Sequence, residues 1–438
     1  VTLIGVGSAN ILMNEFFKLE CTSMYRIFHF LFISLICFIL GPALNAASIS
    51  CSIDPLLKAS ESWKMTADDF EKTFTENNNK LFVWLTLDRT RAKLTRKLYG
   101  NAEIDLTAFD GAVPVQEVTV DFAGGRLNLI SVSIYNRADS GQITREVFAE
   151  RFKTAGKMVG EILVAKPQQR KADAKNGLLT EGYSWNSRET GVALLEHNEG
   201  ALEKADFEFL RLRIARPNAI GSLAASMTNT RGGAAAKLGD FPKNVKKEVT
   251  GDVFISNLPM VDQGDKGYCV CASVQRVFEY YGIGADMHQI AQISDADPQR
   301  GTNTLLMAKE LDKIDYRFKT RLDIIGMGQP MTEVDVKKGE YFVGKFVDER
   351  MFLKEIRDYI DDGLPLLWSL ELGRFPEVPE LSPQTSGGHM RLIVGYNDKT
   401  QEIIFSDSWG ARHEAKRMKM TDSYRASHGL FVLKPTVR

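Results

Sequence analysis

Three residues in the second half of the chain have the types and setting for nucleophilic catalysis: Cys269, His389 and Asp407. Cys269 closes the polar, glycine-bearing stretch Met260-Val-Asp-Gln-Gly-Asp-Lys-Gly-Tyr268 and opens a run with helical spacing. The first backbone N–H groups of a helix have no partner within it, and the aligned peptide dipoles place partial positive charge there. A thiol held at that end ionises more easily, and the thiolate is the nucleophile. A buried structural cysteine is the plainer alternative, and the polar loop before Cys269 argues against it. Such a nucleophile needs a base within hydrogen-bond reach and a third group that orients the base. His389 follows Gly387-Gly388 at the start of an apolar strand, and Asp407 ends the next strand, ahead of Ser408-Trp-Gly410. The short turn Asn397-Asp-Lys-Thr-Gln401 makes these strands antiparallel neighbours, so the start of one lies beside the end of the other.

The elements that must position these groups follow from periodicity. Val274, Val277, Phe278 and Tyr281 recur at helical spacing on the side expected to be buried, with Gln275, Arg276 and Glu279 facing elsewhere, and Gly282 stops the helix. Further helices are expected at Met287–Ile293, Thr304–Ile314 and Met351–Ile360. Strands are expected at Pro365–Leu372, His389–Tyr396, Glu402–Asp407 and Gly429–Leu433. Helices first and antiparallel strands later make an α+β arrangement.

Residues 52–215 read as a smaller α+β accessory domain. Thr66 caps a helix ending near Phe74, Glu117–Phe122 and Leu127–Tyr135 form a hairpin, Ile143–Leu163 returns to helical spacing, and Gly191–Leu195 with Phe207–Ile214 make a further strand pair. No cluster here has catalytic or metal spacing, and the lone His197 is read as a surface or hydrogen-bonded residue. Between 216 and 250 the composition turns small, polar and locally basic, as linkers are. Residues 251–438 carry the candidate chemistry.

Met24-Tyr-Arg26, the apolar run Ile27–Leu40 and the small-residue end at Ala47 have the layout of a secretory signal peptide, with an N-terminal anchor as the alternative. Residues 1–23 read as an upstream extension. The expected location is secreted, periplasmic or cell-envelope, with membrane contact only through that segment. Lys plus Arg number 55 and Asp plus Glu 56, a net charge of −1, so no broad positive field exists to hold nucleic acid. Five cysteines are too few for a disulfide scaffold. Cys269 and Cys271, two apart on a helix, are poor disulfide partners. No metal or other cofactor is called for.

The segments around Cys269, His389 and Asp407 resemble the papain-like cysteine peptidases. Gly267-Tyr268-Cys269 is similar to the family's Gly-Ser-Cys, Gly388-His389 through Asn397 to its histidine strand, and Ser406-Asp-Ser-Trp-Gly410 to its Asn-Ser-Trp-Gly. The resemblance covers about Phe254–Pro435, and Lys-Gly-Tyr-Cys with Gly-Gly-His and an aspartate leans toward the bacterial double-glycine leader peptidase branch. It implies a helical part carrying Cys269 and an antiparallel sheet carrying His389 and Asp407. It also implies an oxyanion glutamine, Gln263, six residues before Cys269, and substrate contacts from Gly267, Tyr268, Gly388 and Trp409. The activity implied is hydrolysis of a peptide or protein through a thioester acyl-enzyme, with a transamidase or acyltransferase, or an inactive binding protein on the same scaffold, as the alternatives. Val270 is expected to alter the cleft wall, and Cys271 to be a small buried hydrophobe.

Overall fold

The computed structural model describes residues 49–96, 103–172, 178–228, 236–264, 267–293, 304–328, 347–381 and 386–437. The expected signal segment, the upstream extension, Cys21 and Cys37 lie outside them. Among the described residues no helix is long and apolar enough to cross a membrane. Residues Ile49–Arg438 form one compact unit.

The first half is built on an eight-stranded sheet. Its strands are β1 (Val83–Trp84), β2 (Arg91–Thr95), β3 (Glu117–Ala123), β4 (Arg126–Asn136), β5 (Gln168–Arg170), β6 (Thr180–Ser187), β7 (Gly191–Asn198) and β8 (Phe209–Ala215), in the order β5-β6-β7-β8-β4-β3-β2-β1. The expected β3–β4 hairpin and β7–β8 pair both form, antiparallel. Helix α1 (Ala67–Thr73) starts at a capping box in which Thr66 and Asp69 exchange side-chain and backbone hydrogen bonds. Helix α2 (Arg145–Leu163) packs on β6 and β7, burying Phe148, Ala155, Val159 and Leu163. His197 is buried and bonds its neighbour's carbonyl at 2.8 Å. Across the apolar run Leu81–Leu87, only the two residues of β1 are strand.

Within the stretch read as a linker, the described residues 216–228 and 236–250 carry regular elements. Helix α3 (Ser222–Thr228) buries Leu223, Ala224 and Met227 against Leu129, Leu194 and Ala215. Strand β9 (Val245–Lys247) then joins the second sheet. Small residues that look like a spacer in sequence here allow close packing.

The second sheet runs β9-β10-β13-β12-β16-β11, where β10 is Asp252–Ile255, β11 Thr320–Met327, β12 Leu366–Leu372, β13 Gly387–Asn397 and β16 Ser427–Pro435. Strand β14 (Glu402–Ser406) pairs with β13, and β15 (Lys416–Lys419) with β14. Where β10 crosses β13, a Cβ on Gly395 would lie 2.5 Å from the Val253 carbonyl oxygen, so only glycine fits. Helices α4 (Cys269–Tyr280) and α7 (Glu349–Asp361) pack against β13, with α5 (Met287–Ile290) on α4 and α6 (Thr304–Ile314) against β11. Asp348 caps α7 by accepting from Met351 N–H at 2.8 Å.

Helix α4 corrects one sequence expectation. Gln275 and Arg276, read as facing away from the core, are 6% and 1% exposed. Gln275 is held by Glu279 and the Met287 N–H, and Arg276 by Pro259, Ser406 and Asp407, so both are buried in partnered form. Phe278 is fully buried, with its ring 4.8 Å from Phe318. Phe278→Ala is expected to lower unfolding free energy by about 3 to 5 kcal/mol; a denaturant titration giving under about 1 kcal/mol would contradict this packing.

Candidate active site

Cys269 is the first residue of α4, and Tyr268 before it supplies no side-chain cap. The helix therefore presents unsatisfied N–H groups where the thiol sits. Burial pushes the Cys269 thiol up, but a hydrogen bond and the charge of His389, with backbone N–H groups of Met390 and Val270, outweigh it and hold the pKa below its ordinary value. The imidazole lies at the N-terminal end of β13, and its Nε2 is 3.2 Å from Asp407 Oδ1. That leaves Nδ1 for the sulfur. The strand register accounts for the meeting: Leu392 pairs with Ser406, so the next step along the ladder brings Arg391 and Asp407 level, with His389 one same-face position beyond.

Burial alone would lower the His389 pKa; hydrogen bonds to Asp407 and Cys269 and their charges raise it to about 9. Asp407 has no exposed surface. Burial would raise its carboxyl, yet Arg391, His389 and Lys416 hold it far below the usual carboxylate range. Arg391 Nε donates to Asp407 Oδ1 at 2.7 Å, the same oxygen that faces His389, and Lys416 Nζ lies 3.4 Å from Oδ2. Both cations are balanced by Glu377, which takes Arg391 Nη1 at 2.7 Å and also pairs with Lys416. Two cations thus meet two carboxylates, and the proton shared by Cys269 and His389 leaves the group's net charge unchanged. Trp409 stacks on His389 at 4.8 Å between ring centres and covers one face of it.

Gln263 is buried, and its backbone N–H donates to Ser408 O at 2.9 Å, tying the expected oxyanion residue to the segment after Asp407. Gly267 is half-buried and Gly388 exposed beside His389. Tyr268 is a correction: expected to contact substrate, it is fully buried and its hydroxyl donates to Asn136 Oδ1 at 2.6 Å. Val270 is likewise a core residue at 1% exposure rather than a cleft wall. Cys271 is fully buried.

Sequence reasoning missed Arg391, Lys416, Glu377 and Arg276. Arg276 donates to Asp407 O at 3.0 Å, Ser406 Oγ at 2.7 Å and Pro259 O at 2.8 Å, joining α4 to the end of β14. A signal existed for Arg391 alone, since residues two apart on a strand share a face with His389.

Residues 255–431, less than half of the chain, match the model of the Peptidase_C39 like family, so this part of the chain is similar to C39-like peptidase domains. Gln263, Cys269, His389 and Asp407 all fall within it. Among solved structures the chain is similar to the peptidase domain of Streptococcus ComA, a bi-functional ABC transporter involved in a quorum-sensing pathway. The identity is 16%, covering 41% of this chain and 99% of that one, with a TM-score of 0.27. It is similar also to xylellain, a cysteine protease from Xylella fastidiosa, at 16% identity, covering 47% and 91%, with a TM-score of 0.27. The family match, rather than these scores, carries the assignment. A search of curated proteins gives no match.

The environment of each thiol sets its reactivity. Cys51 is buried, and burial followed by the charge of Glu76 pushes its pKa up to about 11. Iodoacetamide at neutral pH is expected to alkylate Cys269 at least about tenfold faster than Cys51 or Cys271, read by mass spectrometry of the digested protein; equal rates would contradict the described thiol environment.

Proposed function

We propose that this chain is an exported cysteine peptidase that cleaves peptide bonds through Cys269, His389 and Asp407. The observation that carries the reading is the run of hydrogen bonds from the Cys269 sulfur through His389 to Asp407, inside a segment matching a cysteine-peptidase family. Export is supported by the sequence of residues 24–47 alone.

In this reading the Cys269 thiolate attacks the scissile carbonyl, forming a C–S bond and placing the carbonyl electron pair on oxygen. Gln263 and the Cys269 backbone N–H donate to that oxyanion, an interaction worth about 3 to 4 kcal/mol for one donor. When the oxygen lone pair re-forms the carbonyl, the C–N bond breaks and His389 gives its proton to the departing amine. Water, deprotonated by His389, then attacks the thioester, and the carboxylic acid leaves as the sulfur recovers its negative charge. Asp407 keeps the imidazole oriented throughout, and Trp409 limits water access to that pair.

Cys269→Ala is expected to abolish casein or peptide-library hydrolysis, and persistent activity would remove the assignment. Gln263→Ala should lower kcat by about 10²- to 10³-fold with little change in KM. Hydrolysis should also fall as pH rises through about 9, where His389 loses the proton it must donate; an upper limb well below or above that value would place the acid elsewhere. Adding a labelled amine to the same assay separates hydrolysis from acyl transfer.

A further inference from the structure

The first half of the chain reaches the segment before Cys269 and the loop after Asp407. Lys93 on β2 is buried, and its ammonium donates to the Asp262 carbonyl oxygen at 3.1 Å and lies 3.5 Å from Asp262 Oδ2. Asp262 immediately precedes Gln263, caps the turn by accepting from Gly264 N–H at 2.8 Å, and bridges the backbone of Trp409. Two residues along β2, Arg91 donates to Met260 O at 3.1 Å and to Glu279 of α4 at 3.0 Å. Asn136, at the end of β4, accepts the Tyr268 hydroxyl beside Cys269. Leu85 lies against Gly410, its Cδ2 3.4 Å from where a Cβ would stand. A buried ammonium is stable only while its partners stay in place. Lys93, with Glu117 3.6 Å away as its other counter-charge, ties the Met260–Gln263 segment to the first sheet, and the Tyr268 hydroxyl bond does the same for the peptide leading into Cys269.

We propose that the first half of the chain is a working part of the active site rather than a removable inhibitor or a separate binding module. Lys93 and Asn136 are its positioning residues. Lys93 aims the Gln263 amide by fixing Asp262, and Asn136 fixes Cys269 at the start of α4 by holding Tyr268. The proposal rests on the cysteine-peptidase reading above.

Two full-length variants test it after wild-type hydrolysis, and its loss in Cys269→Ala, have been measured. Lys93→Met should lower kcat about ten- to hundredfold, because small misplacement of an oxyanion donor is costly. KM should stay within about threefold. Alkylation of Cys269 by iodoacetamide should keep its wild-type rate and pH dependence, since it needs the thiolate and no oxyanion donor. Tyr268→Phe removes one hydroxyl and should slow both hydrolysis and Cys269 alkylation about threefold or more, with the melting temperature little changed. Wild-type kcat in folded Lys93→Met overturns the proposal, as does an equal loss of kcat and alkylation, which would mark general disruption. Should Lys93→Met not fold, wild-type rates in Tyr268→Phe overturn it. A wild-type chain with no hydrolysis would tell against the peptidase reading instead, and the alkylation rate of Tyr268→Phe would still decide the positioning claim.

Discussion

Asp407 carries a full negative charge where water does not reach, and the second half of the chain is arranged around that constraint. An unpaired buried charge costs several kcal/mol, so the carboxylate requires cations, and the cations in turn require a counter-charge. Arg391 comes from β13, Lys416 from β15, and Glu377 from the segment after β12. The electrostatics of the site are therefore written into the pairing of adjacent strands. A one-residue slip of β13 would turn His389 and Arg391 to the opposite face together and leave Asp407 with Lys416 as its remaining ion-pair partner of the three. Fixing the register and orienting the imidazole are one requirement.

Cys269 enters from a different element, and Arg276 connects the two. It lies two helical turns after Cys269, on the same side of α4, and its guanidinium ends on the backbone of Asp407 and the Ser406 hydroxyl. The spacing between Cys269 and His389 thus depends on a buried hydrogen-bonded arginine as well as on apolar packing of α4 against β13. Asp407 accepts from His389 and Arg391 on a single oxygen, so its pull on the imidazolium is shared. An aspartate set among cations orients the histidine while holding its proton less tightly than an isolated carboxylate would.

The chemistry-bearing residues were legible because each sits at a boundary that sequence marks well. Cys269 follows a glycine-bearing loop, His389 a glycine pair, and Asp407 the end of a strand returning from a five-residue turn. Hairpin geometry alone brought His389 and Asp407 together. The partners that hold them were not legible, since Lys416 and Glu377 look like ordinary solvated charges and only the fold shows them to be 2% and 7% exposed. Amphipathic reasoning likewise assigned Gln275 and Arg276 to the outside of α4. That inference presumes water beyond the helix, and hydrogen-bonding groups of neighbouring segments occupy the place instead. Tyr268 was misassigned for a related reason: neighbours in sequence on a helix start point in different directions, and adjacency to the nucleophile says nothing about which way a ring turns.

The contacts of Lys93 and Asn136 span long stretches of chain, 169 positions to Asp262 and 132 to Tyr268. Contacts so remote in sequence form late, after local helices and hairpins, and a chain made from its N-terminus completes the first sheet before the second half exists. The thiol loop then closes onto a surface already built. The surroundings of Cys269 are consequently among the last features the molecule can assemble during its own synthesis, a delay set by chain order.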